Sequence, residues 1–246
     1  MTDTVSSWLD IGDTISTWAE LAGIVEKYRA NTWIFRGVDD ARHDLVPNIG
    51  RPGARKDMNT GEDLPFDQAE ELKLLSRYKR ELNPHIRTTP AAHPSFDWEL
   101  HAVAQHHGLS TRLLDWSESP LIAAYFAVER SGLIGGEKID AALYGVPCPH
   151  TITVETTKWP AEHDVVALYP PHLVPRITVQ RGLFTIHKNP NVPWKSQALQ
   201  KWVIPSGSCL ALKLALNRAG INRASLFPDP DGIAEHINWL HKWGIQ

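Results

Sequence analysis

Between Gln105 and Val128 the chain reads QHHGLSTRLLDWSESPLIAAYFAV, which crowds two histidines, an arginine and an aspartate around one short segment. An imidazole beside a carboxylate is the pairing used for general acid–base chemistry, so His107 with Asp115 is a candidate hydrolase or nuclease centre. The adjacent His106 and His107 point about 100° apart at a helix end, which limits how they can act together. Just beyond Asp115 and Ser117, Ser119 and Pro120 suit the N-cap and first position of a helix. Its unpaired N–H groups and positive dipole end form a site for a phosphate. The same residues also fit an Asp-capped turn beside histidines satisfied in a core.

These groups depend on the elements that carry them. A helical pattern through Trp98, Leu100, Ala102 and Val103 stops at Gly108, which suits a left-handed C-terminal residue. Thr111 to Trp116 reads as a strand, with Thr111, Leu113 and Asp115 on one face and Arg112, Leu114 and Trp116 on the other. The helix opened by Ser119 runs through Ala127, and Gly132 can stop it.

Upstream, Thr17 to Tyr28 is an amphipathic helix and Thr32 to Val38 a strand with Trp33, Phe35 and Gly37 on one side and Ile34 and Arg36 on the other. Gly37 admits close approach of another group to the backbone. Ala41 to Pro65 is a long irregular segment, of the kind that binds something or forms a lid. Phe66 to Leu82 is a charged helix with Leu72, Leu75, Tyr78 and Leu82 as its expected buried stripe, and Pro84 ends it.

Downstream, short strands are expected at 139–146, 151–155, 164–168, 175–179, 183–187 and 202–204. Helices follow at 209–218 and 232–243, the second with Asp231 as N-cap. The fold class is α+β, in one domain with N-terminal helices.

A chain of 246 residues with these apolar and charged fractions can bury a core of its own. Cys148 and Cys209 are far apart and lack metal-ligand spacing, so neither a disulfide framework nor a metal site is expected. With no signal-like or membrane-spanning run, the expectation is a cytoplasmic protein without a membrane partner. The net charge is −3, yet residues 165–228 hold no Asp or Glu and eight Lys or Arg. Such a field draws an anion, unless these side chains spread over several faces and pair with acids from the N-terminal half.

Four strings, WIFRG at 33–37, QHHGLSTRLLDWSESPLIAAYFA at 105–127, QRGLFTIH at 180–187 and SLFPDPDGIA at 225–234, resemble the FRG domain, named for its Phe-Arg-Gly signature. The resemblance covers roughly Thr32 to Ile237. It divides the chain into an N-terminal helical extension, 1–31, and a catalytic or nucleotide-binding domain, 32–246.

More distantly, the layout is similar to ADP-ribosyltransferases of the arginine-serine-glutamate type. That resemblance implies a split, mainly antiparallel β core with NAD as substrate. It places Arg36, Gly37 and Ser117 on the dinucleotide, with Arg112 and His107 shaping the pocket. The implied acceptor is RNA, DNA or a protein, and the implied role a toxin or phage-defence effector held by a cognate antitoxin.

One element departs from that pattern. No glutamate stands in the strand before Arg181 to Phe184, where the catalytic one belongs. Asp115 and Gln180 are the stand-ins, and an amide can orient a hydroxyl but supplies no charge. The alternatives are a non-catalytic nucleotide-sensing or interaction module and the His107–Asp115 nuclease.

Overall fold

Apolar residues alternate along the strands, and the structure uses that alternation to bury both faces of one central sheet. The computed structural model describes residues 13–30, 32–82, 98–130, 138–156, 162–170 and 179–245. The stop signals Pro84 and Gly132, most of the strand expected at 175–179, His172 and Arg176 lie outside the described residues.

Seven strands form the sheet: β1 (Trp33–Val38), β2 (Leu113–Ser117), β3 (Ala141–Pro147), β4 (Thr151–Ile152), β5 (Val165–Leu168), β6 (Gly182–His187) and β7 (Gln200–Ile204). Their spatial order is β4-β5-β6-β2-β1-β3-β7. All neighbours run antiparallel except β4 and β5. Seven described helices surround it: α1 (Trp18–Lys27), α2 (Gln68–Leu82), α3 (Trp98–His106), α4 (Pro120–Val128), α5 (Ser206–Arg218), α6 (Arg223–Leu226) and α7 (Pro230–Lys242). This is the expected mixed α+β architecture, and no described helix is long and apolar enough to cross a membrane.

One face of the sheet carries two separate apolar clusters. Phe35, Ala141, Leu143 and Trp202 of the β1-β3-β7 half pack under α1, α4 and α5. Leu113, Phe184 and Ile186 of the β2-β6-β5 half pack with Trp98 and Ala102 of α3. On the opposite face Ile34, Val38, Leu114, Trp116 and Tyr144 are covered by Leu45 and Trp194. Thr17 caps α1 with a full capping box, and Leu21 and Ile24 of that helix enter the same cluster as α4. The described part of the expected N-terminal extension thus contributes to the main core.

Local signals hold at several points. Ser119 caps α4, its hydroxyl accepting from Ile122 N, with Pro120 at the first position. Gly108 has φ +87°, as its place after α3 requires. Two expectations are corrected. The N-cap of α7 is Asp229, because Pro230 occupies the first helical position and the capping residue must precede it. On α2 the buried residues are Glu71 and Leu75, while Leu72 is exposed.

Candidate functional site

The seam between β1 and β2 is where the sheet opens. β1 pairs with β3 along its whole length, whereas Phe35 with Ser117 is the only register pair described between β1 and β2. Beyond that pair a regular ladder would set Gly37 opposite Asp115. Instead the Arg36 side chain enters the opening, and its Nη1 donates to the Asp115 carbonyl at 2.6 Å. The Asp115 carboxylate lies 3.5 Å from the same nitrogen. Arg36 is largely enclosed, its side chain 15% exposed, while that of Asp115 is 57% exposed. A fixed guanidinium therefore stands beside a carboxylate open to solvent.

Asp115 is also held from α3. Gln105 Nε2 donates to Asp115 Oδ2 at 3.1 Å, and Thr111 Oγ1 donates to Gln105 Oε1 at 2.7 Å. Because the hydroxyl claims the amide oxygen, the amide nitrogen must face Asp115. Gln105 lies within the block that the sequence singled out, but its contact spans a helix, a turn and a strand, and no spacing rule reads that.

The irregular segment 41–65 packs on the sheet beside Arg36. Leu45 is buried there, Tyr144 Oη donates to His43 O at 3.0 Å, and Ile49 N donates to Thr111 O at 3.4 Å. A 3-10 turn, Asn48–Gly50, presses against Pro190 so closely that a Cβ on Gly50 would sit 1.8 Å from the Pro190 carbonyl oxygen. The turn delivers Arg51, whose Nε donates to Val46 O at 3.0 Å. Burial and the positive field of Arg36 hold Arg51 below the usual arginine range, with Asp115 and Asp39 opposing. The largely enclosed Arg36 and the partly buried Arg51 therefore share one electrostatic neighbourhood.

His187, at the end of β6, lies within the electrostatic reach of Arg36. Trp116 Nε1 donates to Thr185 Oγ1 at 2.8 Å, and Thr185 Oγ1 lies 3.0 Å from His187 Nε2. An indole can only donate, so Thr185 Oγ1 accepts from Trp116 and keeps its own proton and a second lone pair for the contact with His187. Burial, reinforced by Arg36, pushes His187 down to about 3, so the ring is neutral at ordinary pH.

The other expected site residues go elsewhere. Arg112 is buried in an ion pair with Glu71 of α2, Nε to Oε2 at 2.8 Å with Nη2 on the same oxygen, so it does not shape an open pocket. Gly37 faces α4, where a Cβ would meet Ala123 O at 1.9 Å; its freedom serves helix packing and not a ligand. The Ser117 hydroxyl is buried, donates to Gln180 O at 2.8 Å and accepts from Ser119 N. The α4 N-terminus is thus largely satisfied, by Ser117, Ser119 and the N–H-free Pro120, and offers little to a phosphate.

Gln180 donates its amide to Leu226 O at 3.0 Å. His107 is exposed with its ring 5.1 Å from His106, and it makes no hydrogen bond to Asp115 among the described residues. Gln105 and His107 project about 200° apart at helical spacing, so the contact of one with Asp115 turns the other away.

A second carboxylate stands at the end of the seam. Glu118 accepts from Tyr169 Oη at 3.2 Å and pairs with Arg181 at 3.7 Å. Arg181 has φ 46°, and this left-handed backbone lets its carbonyl take Glu118 N at 3.1 Å. The acid-free stretch is no single basic patch, since Arg181 pairs with Glu118 and Arg223 with Glu129 and Glu235. Among the described residues no group of three or more His, Cys, Asp or Glu could hold a metal ion.

Residues 31–132 match the family model of the FRG domain, a span that runs from the start of β1 to just past α4 and includes Arg36, Gln105 and Asp115. No curated protein and no solved structure matches the chain.

Proposed function

We propose that the β1–β2 seam binds NAD and that the chain transfers ADP-ribose to a nucleophilic acceptor, in the manner of a toxin or defence effector. The observation that carries this reading is the Arg36–Asp115 contact: a clamped guanidinium beside an exposed carboxylate, in the middle of an opened sheet. Among the described residues only Nη1 of Arg36 is engaged, leaving Nε and Nη2 for phosphate oxygens. Arg51 adds a second cation from the 41–65 segment, which suits a pyrophosphate better than a single charge.

In the reaction, the bond between ribose C1′ and the pyridinium nitrogen breaks, and nicotinamide leaves with the electron pair. The acceptor oxygen or nitrogen bonds to C1′ and gives up its proton. Asp115 supplies negative field to the oxocarbenium-like state and a place for that proton, while Gln105 fixes the carboxylate. Arg36 and Arg51 act on binding and orientation.

Incubation of the full chain with NAD, with nicotinamide and modified acceptors read by mass spectrometry, tests this. Release that disappears in Asp115→Asn and falls at least tenfold in Arg36→Ala is expected. No release with RNA, DNA and protein acceptors overturns it. Gln180 is committed to Leu226 O and does not join Asp115 among the described residues, which favours nucleotide sensing as the alternative. That alternative predicts NAD or ADP-ribose binding by calorimetry without nicotinamide release.

A further inference from the structure

A half-open cavity of about 270 Å³ lies on the far side of α4 from the sheet, lined by residues of α4, α5, α6 and α7. Ala123 and Ala127 of α4 face Gly37 on β1. Tyr125 and Glu129, two residues on from each, project about 200° away into the cavity wall. This space is therefore separate from the β1–β2 seam.

Its carboxylates are engaged by Arg223. Arg223 Nη1 lies 2.6 Å from Glu129 Oε1, and its Nε lies 2.8 Å from Glu235 Oε2. Tyr125 Oη adds a hydrogen bond to Glu129 at 3.4 Å. Lys213 is different. Its Nζ donates to the backbone carbonyl of Glu129 at 2.7 Å and sits 4.9 Å from the Trp239 ring centroid, and among the described residues no carboxylate is in ion-pair contact with it. Asn217, one helical turn along α5 on the same wall, makes no side-chain hydrogen bond among the described residues. A half-buried ammonium with donor protons to spare, beside such an amide, is a donor set suited to an anion.

The geometry points to a binding site for a small organic oxyanion, a carboxylate or phosphate ester of metabolite size, held by Lys213 and Asn217. The volume falls at the lower edge of small-molecule sites, too small for a dinucleotide or a nucleic-acid backbone. The engaged carboxylates exclude a cationic ligand.

Calorimetry on the full chain, with inorganic phosphate and 3-phosphoglycerate as probes and glycerol as the neutral control, tests the site. Expected are saturable binding of 3-phosphoglycerate and a loss of about tenfold or more in Lys213→Met. Absence of saturable binding by either anion, or unchanged affinity in Lys213→Met, overturns it. If Lys213→Met does not fold, Asn217→Leu reads the same wall, and unchanged affinity there overturns the proposal equally. Because the readout is the loss in Lys213→Met, a residue of the cavity and not of the seam, its failure is distinct from failure at the seam.

Discussion

Glu71 of α2 and Arg112, the residue immediately before β2, form an ion pair in the protein interior, with side chains only 1% and 4% exposed. Arg112 also lies over the Phe66 ring at 4.9 Å, and its carbonyl accepts from His187 N at 3.2 Å. The pair therefore ties α2 to the start of β2 and the end of β6. Glu71→Ala leaves a guanidinium buried without its counter-charge, and a loss of about 3–5 kcal/mol in urea unfolding is expected. Glu71→Gln, which keeps an acceptor, should lose less.

Gly37 illustrates a glycine demanded by packing. The nearest atoms to an added Cβ are backbone, Ala123 O at 1.9 Å and Ala127 N at 2.5 Å, and backbone cannot swing aside. Gly37→Ala must push α4 off β1, at a cost of about 1–3 kcal/mol or more. A lowered thermal midpoint is the expected result. Unchanged stability with lost nucleotide binding would return Gly37 to the ligand.

His187 makes stability depend on pH. Its folded pKa is depressed to about 3 from an ordinary 6.5, so below pH 6.5 the unfolded chain takes up a proton that the folded chain does not. The contribution is complete above about 6.5 and declines as pH falls toward 3, by about 1.4 kcal/mol per pH unit from this one group. Urea midpoints at pH 7.5 and 5.0 should differ less in His187→Phe than in the parent chain. An equal difference in both would remove His187 as the source.

What could be read in the sequence was what local periodicity and capping determine. The alternation that put Phe35 and Gly37 opposite Ile34 and Arg36 is seen in the two faces of β1, and Ser119-Pro120 opens α4 as their chemistry requires. The rule that proline follows its N-cap directly also singles out Asp229 over Asp231. On α2 Leu75 is buried with Tyr78 packed beside it, as the periodicity predicts, but Glu71 was not legible, because it is an interior residue only through Arg112, 41 positions away. Arg51 sits in a segment without periodicity, and its neighbourhood with Arg36 arises from tertiary anchoring at Thr111 and Pro190. Arg36 and Asp115 were both visible as candidates. Their meeting depends on β1 and β2 parting after Phe35 and Ser117, which no residue pattern announces.

Arg51 should act on affinity. It belongs to the 41–65 segment and not to the sheet, and among the described residues the one hydrogen bond of its guanidinium is with Val46 O. Arg51→Met removes the second cation while retaining much of the aliphatic stem. NAD affinity measured by calorimetry should fall about tenfold, and the deficit should shrink at high salt, where screening weakens the contribution of the charge in the parent. Equal affinities at low salt would show that Arg51 does not face the dinucleotide.

Gln105 should act on turnover instead. It touches Asp115 and Thr111 and reaches the reaction only through the carboxylate that it orients, which makes it a positioning residue. Gln105→Leu keeps the bulk and removes the donor, so Asp115 Oδ2 loses its fixed direction. With NAD held by the arginines, KM should stay within about twofold while kcat falls about tenfold. Gln105→Glu should lower kcat further, since it sets a second negative group where the amide nitrogen had been and turns an attraction into a repulsion. A rise in KM at constant kcat in either variant would instead place Gln105 on the dinucleotide itself.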